Sequence, residues 1–167
     1  MTDEYREKYE AGCEYQDFIQ KELLKYGLVV MLNSSRLYQV KLGESLSGIE
    51  IKNDRRCHET GNLYIEVAEK ADANNANFVA SGIYRYDNTW LYGVGDYHDF
   101  YMMPKVQLKT VYERLINEPD NKYRKRGVRT VTTPTSIAMV IPIDYAKEIG
   151  LIVRHISFDE ANGNDTG

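Results

Sequence analysis

The stretch GIEIKNDRRCHETGNLYIEVAEK, residues 48–70, places Glu50, Lys52, Asp54 and Glu66 at alternate positions of two short segments. In an extended chain alternate side chains share a face. Ile49 and Ile51 then point one way, and Glu50, Lys52 and Asp54 the other. Leu63, Ile65 and Val67 likewise oppose Tyr64 and Glu66. With RRCHETG as the connection, pairing 54 with 62 sets 52 against 64 and 50 against 66, and both apolar sets stay on one side. The spacing predicts a β-hairpin whose two glutamates face each other at about 5 Å. Facing like charges weaken a sheet unless a cation bridges them or one acid is protonated. Mg2+ takes one or two carboxylates with water and phosphate oxygens, and a neighbouring ammonium stabilises an anionic transition state. These residue types suit a divalent cation held beside a phosphate. The plainer alternative is a solvated hairpin face with a Glu–Lys pair.

The elements that must position these side chains follow from periodicity. Residues 4–26 predict a helix, with Ala11, Tyr15, Phe18, Ile19 and Leu23 at helical spacing and Gly27 as its stop. LVVML (28–32) and RLYQVKLGE (36–44) predict strands, as do GIYRY, TWLYGVGDY and DFYMM. VQLKTVYERLIN (106–117) predicts a second helix, and residues 118–135 a polar loop. SIAMVIPI predicts a strand, DYAKEIG a short helix capped by Asp144, and LIVRHISF a last strand. The order implies an α/β (α+β) domain with a mixed central β-sheet flanked by helices. It would span residues 1–157, with 158–167 as a flexible tail.

The acidic residue on one strand and the acid-x-Lys pattern beside it resemble the PD-(D/E)XK nuclease superfamily, which includes restriction endonucleases and Holliday-junction resolvases. GESLSGIEIKND through TGNLYIE is also similar to small nuclease-like proteins of phages and mobile elements. The resemblance covers about residues 12–105. It implies a restriction-endonuclease-like core with an N-terminal helix, hydrolysis of phosphodiester bonds in duplex or branched DNA, Mg2+ or Mn2+ as cofactor, and a homodimer. Glu50, Lys52 and Glu66 would be catalytic, and Glu50, Glu66, Asp54 and Glu44 would hold the metal. Two registers fit: Glu44 with the triplet Glu50-Ile51-Lys52, or Glu50 with Glu66 and a lysine displaced to the preceding strand. Glu50 and Lys52 belong to both. No Pro-Asp precedes either acid, and the helix offers Gln16, Asp17 and Glu22 where a metal-binding glutamate would stand. These departures leave room for a non-catalytic protein on the same fold, such as a phage-borne inhibitor of a host defence system.

NKYRKRGVR gathers Lys122, Arg124, Lys125, Arg126 and Arg129, either a phosphate-backbone contact or a solvated loop. A nucleic-acid-binding module using this loop alone is a third reading. Asp96, His98 and Asp99 in GDYHDF, and Cys57-His58, lack the spacing of a metal site. The chain of 167 residues and 19.3 kDa suits one domain, and its 43% hydrophobic and 28% charged residues suit a globular one. A net charge of −4 excludes a broadly basic nucleic-acid surface. Cys13 and Cys57 form no CxxC pair, the N-terminus is acidic, and no apolar run reaches a membrane span. The expectation is a cytoplasmic protein, in a bacterial host if phage-borne.

Overall fold

The computed structural model describes residues 3–33 and 35–158. Its elements in chain order are α1 (Asp3–Lys25), α2 (Arg36–Leu42), β1 (Ile49–Asn53), α3 (Cys57–Thr60), β2 (Asn62–Glu69) and β3 (Val79–Ala80). A 3-10 turn (Gly82–Tyr84), β4 (Leu91–Gly95), β5 (Asp99–Pro104), α4 (Lys105–Asn117) and α5 (Lys122–Lys125) follow. The described chain closes with β6 (Arg129–Thr132), β7 (Ser136–Pro142), α6 (Ile143–Glu148) and β8 (Arg154–Ser157). The fold class is mixed α/β, as the order of sequence patterns implied.

The strands form two four-stranded sheets, β1-β4-β5-β8 and β3-β2-β7-β6. β1 runs parallel to β4, and every other pairing is antiparallel. The inner faces of both sheets share one core: Leu63 and Ile65 of β2 and Met139 and Ile141 of β7 pack with Tyr92, Tyr101 and Met103. Leu108, Val111 and Leu115 recur along one face of α4 and join that core. The outer face of the first sheet forms a second core, where Ile49, Ile51, Phe100 and Met102 lie beneath Tyr15, Ile19 and Leu23 of α1. Those three helical residues stand four apart, so they line one stripe. The stripe buries them completely.

The expected hairpin does not form. β1 pairs with β4, putting Glu50 beside Tyr92, and β2 pairs with β7 and β3, putting Glu66 opposite Ala138. The reason is that the two apolar sets belong to different cores: Ile49 and Ile51 sit under α1, while Leu63, Ile65 and Val67 face the inter-sheet core. The connection folds as α3, which buries Cys57 and ends at Gly61 with φ 65°. That turn delivers β2 to the other sheet.

Four other segments differ from expectation. Residues 36–42 are helical rather than extended, with the Ser35 hydroxyl accepting from the Tyr38 N–H at 3.5 Å. Residues 28–32 form only a single bridge, Leu32 to Ser45. GIYRY contains the 3-10 turn instead of a strand, and the polar run 118–135 contains α5 and β6. Phe158, expected in the frayed tail, is buried in the second core. Residues 159–167 of the expected tail lie outside the described residues.

Candidate functional site

A cavity of about 600 Å³ opens between α1, α2, β1 and β2. Gln16, Glu44, Lys52 and Glu66 line it, with Arg55 and Arg85 also on its wall. α1 therefore uses two flanks. One buries Tyr15, Ile19 and Leu23, and the adjacent one carries Gln16 to the cavity.

The centre of the site is a lysine between two glutamates. Lys52 Nζ lies 2.7 Å from Glu44 Oε1 and 2.9 Å from Glu50 Oε1. Glu44 Oε2 accepts from Gln16 Nε2 at 3.1 Å and from the Ile51 N–H at 3.3 Å. Burial pulls the Lys52 amine down, but Glu50 and Glu44 overcome it and hold the amine well above the usual lysine range. Glu50 shares a face with its lateral neighbour Tyr92 and so points at the inter-sheet core. It is fully buried, and neither carboxylate oxygen receives a hydrogen bond. The lysine approach to Oε1 is an ion pair by distance without hydrogen-bond alignment. Burying a carboxylate costs several kcal/mol, so a single poorly aligned amine leaves it under-compensated.

Glu66 arrives from β2 and completes the group. Burial pushes its carboxyl up, opposed by a 2.7 Å hydrogen bond from Ser81 Oγ and by the charge of Lys52, while Glu69 and Glu50 push the same way as burial. The backbone after Ser81 must pass very close: a Cβ on Gly82 would stand 2.2 Å from the Glu66 carbonyl oxygen, and its φ is +50°. Only glycine fits both demands.

Glu44, Glu50 and Glu66, all singled out from the sequence, thus each interact with the charge of Lys52, although not through a hairpin. Asp54 is not among the residues lining the cavity. Its Oδ2 accepts the Tyr64 N–H at 2.9 Å and its Oδ1 the Arg56 N–H at 3.3 Å, with burial pushing its carboxyl up. Of the helix candidates, Gln16 reaches the site, whereas Glu22 pairs with Lys25 at 2.8 Å. The basic run lies outside the cavity lining, and its cations have local partners. Arg124 donates to the Leu115 carbonyl at 2.7 Å, Lys125 pairs with Asp120 at 3.1 Å, and Arg126 pairs with Glu148. Lys122 lies over the Tyr123 ring and Arg129 donates to the Gly127 carbonyl. Ser81, Arg55 and Arg85 carried no local motif, because only the close approach of the 81–87 segment to β2 brings Ser81 to Glu66.

A second constellation forms around Asp96 and Asp99. Asp96 is buried and accepts from the N–H groups of His58, His98 and Asp99 and from Cys57 Sγ. Burial opposes its ionisation, but these donors hold its carboxyl below the usual range. They also join α3 to the β4–β5 turn. Asp99 then lies 3.3 Å from His58 Nδ1 and 2.6 Å from His155 Nε2. Burial pushes the Cys57 thiol up, which makes it an inert donor rather than a nucleophile. Among the described residues, no group of three or more His, Cys, Asp or Glu side chains is arranged to hold a metal ion, here or in the cavity. No described helix is long and apolar enough to cross a membrane.

Comparison with protein-family models, curated proteins and solved structures gave no match. None of the three identifies a superfamily for the chain.

Proposed function

We propose that the cavity is the site of a metal-dependent endonuclease that hydrolyses phosphodiester bonds in DNA, with Mg2+ or Mn2+ as cofactor. The observation that carries this reading is Glu50: a fully buried carboxylate with no hydrogen bond to either oxygen, next to an acid-lined cavity. A hard cation would give these oxygens the ligation that the poorly aligned Lys52 amine does not. Glu50 would hold it with Glu66 or Glu44, and the bound ion would neutralise a phosphoryl oxygen and acidify an attacking water. Lys52, kept protonated by its two glutamates, serves as a hydrogen-bond donor to a phosphate oxygen or to water and not as a base. Glu66, with its proton affinity raised by burial, is the better acceptor for the water's proton. Gln16 orients Glu44, and Ser81 orients Glu66.

The test is cleavage of linear and branched DNA with Mg2+ or Mn2+, comparing wild type with Glu50→Gln and Lys52→Ala. Loss in both variants is expected, and activity surviving both substitutions removes the assignment. One observation favours a second reading, a non-catalytic interaction protein: Lys52 already lies within 2.9 Å of both Glu44 and Glu50, as a structural ion pair would. Calorimetric titration with Mn2+ separates the two. Binding that Glu50→Gln abolishes supports the hydrolase, and its absence supports the interaction protein.

A further inference from the structure

The cavity carries the carboxylates of Glu44, Glu66 and Glu69 and the three cations Lys52, Arg55 and Arg85, and the buried Glu50 pairs with Lys52. Lys52 is shared by two of the acids. The other two cations differ from it and from the basic run: neither the Arg55 nor the Arg85 guanidinium has a hydrogen-bond or ion-pair partner among the described residues. Their backbones are nevertheless fixed. Lys105 Nζ donates to the Arg85 carbonyl at 2.9 Å and pairs with Asp87 at 2.8 Å, and that pair is 6% and 1% exposed. The Arg85 N–H closes the 3-10 turn onto Gly82, and the preceding Ser81 is tied to Glu66. Arg55 follows Asp54, whose carboxylate holds the Tyr64 N–H. Each arginine thus springs from a segment anchored by a carboxylate, with its own head group uncommitted.

We infer that Arg55 and Arg85 are the phosphate-backbone contacts of a nucleic-acid strand crossing this cavity, in place of the run 122–129. The inference rests on the hydrolase reading for its choice of a phosphodiester strand as ligand. A guanidinium fork matches two phosphate oxygens, and an uncommitted one gives up no existing ion pair to bind them. An acidic pocket in a protein of net charge −4 needs such cations at the point of contact.

The experiment is fluorescence anisotropy of a labelled oligonucleotide, single-stranded and duplex, with Ca2+ replacing Mg2+, across a salt series. The proteins are wild type, Arg55→Ala, Arg85→Ala, the double variant and Lys122→Ala/Lys125→Ala, each checked by thermal melting for an unchanged fold. Each single arginine variant is expected to weaken binding on the order of tenfold and to lower the log–log salt slope by about 1, the double variant by about 2. Lys122→Ala/Lys125→Ala should change affinity less than about twofold, since those side chains already have local partners. Wild-type affinity and slope in the arginine variants, a loss confined to the lysine variant, or no strand binding by wild type each overturn the inference. Inorganic phosphate that displaces the strand stoichiometrically also overturns it, because the arginines would then hold a lone anion. Cleavage is scored separately. DNA cleaved with arginine-independent binding sinks the inference alone, and arginine-dependent binding without cleavage sinks the hydrolase alone.

Discussion

Replacing Lys52 with methionine isolates the energetics on which the site depends. The substitution keeps most of the side-chain volume and removes the charge that neutralises Glu50. Removing one partner of a buried pair typically costs about 3–5 kcal/mol, because a charge is left without compensation. Glu50 is 1% exposed, so water cannot replace the amine on that side, whereas Lys52 is 32% exposed and already partly solvated. Glu44 keeps its bonds to Gln16 and the Ile51 N–H. The expected loss is therefore about 2–4 kcal/mol, on the order of 5–15 °C in Tm for a chain of this size. The lysine pKa is raised in the fold, so its contribution is complete below the ordinary value of about 10.4 and declines only as pH climbs past it. Urea denaturation between about pH 6 and 9 should then show the same deficit from the amine throughout. The double variant Glu50→Met/Lys52→Met removes the stranded acid together with its partner and should return to within about 1 kcal/mol of wild type. A Lys52→Met deficit under about 1 kcal/mol, or a double variant worse than either single one, refutes the view that Glu50 is an under-compensated buried charge.

Glu66→Gln should stabilise the protein at neutral pH and, on the proposed hydrolase reading, abolish cleavage. Burial raises the folded pKa of Glu66, so the wild type carries a penalty above that value that vanishes below the unfolded value of about 4.3; denaturation curves of the two proteins should converge in acid. Lys105→Met takes the ammonium from Asp87 Oδ1, leaving that buried carboxylate with the Thr89 N–H on Oδ1 and no hydrogen bond on Oδ2, and should cost about 3–5 kcal/mol by urea denaturation. Although burial opposes it, Lys105 and the Thr89 N–H hold the Asp87 carboxyl below its usual range, so that stabilisation is present above about pH 4 and fades as pH falls further. Gly82→Ala should destabilise by more than about 1 kcal/mol by urea denaturation and, on the proposed hydrolase reading, lower kcat, since the new Cβ would push on the Glu66 backbone at 2.2 Å.

Periodicity carried the long elements. α1, α4 and β7 fall within a residue or two of their patterns because each buries one regular stripe or face. RLYQVKL alternates loosely enough to suit a strand, and the Ser35 cap is the local feature that favours α2 instead. The hairpin failed for a deeper reason. Alternation reports that Ile49 and Ile51 share a face and that Leu63 and Ile65 share a face, but not that the faces belong to different cores. The orientation of Glu50 and Lys52 does not depend on the hairpin, since alternation alone turns them away from Ile49 and Ile51. The basic run looked like a nucleic-acid contact because sequence shows charge but not partners; Glu148 and Asp120 answer Arg126 and Lys125 only in three dimensions.

The way the strands end also sorts the four acids. β1 is an edge strand, and the Ile51 N–H that β4 does not take is satisfied by Glu44. β3 covers β2 only at Ala68 and Glu69, and the Tyr64 N–H that β7 does not take is satisfied by Asp54. An exposed strand edge left with unpaired N–H groups invites pairing with another chain, and a carboxylate laid along it prevents that. Glu44 and Asp54 therefore have structural tasks that would persist in a protein with no catalysis at all. Glu50 and Glu66 hold no backbone N–H: one accepts no hydrogen bond, and the other only that of Ser81. Of the two motif registers open from the sequence, the pairing of Glu50 with Glu66 is the one whose acids hold no backbone N–H, with Glu50 already paired to Lys52. Substituting Glu44 or Asp54 should accordingly cost stability before it costs metal binding, and substituting Glu50 or Glu66 the reverse.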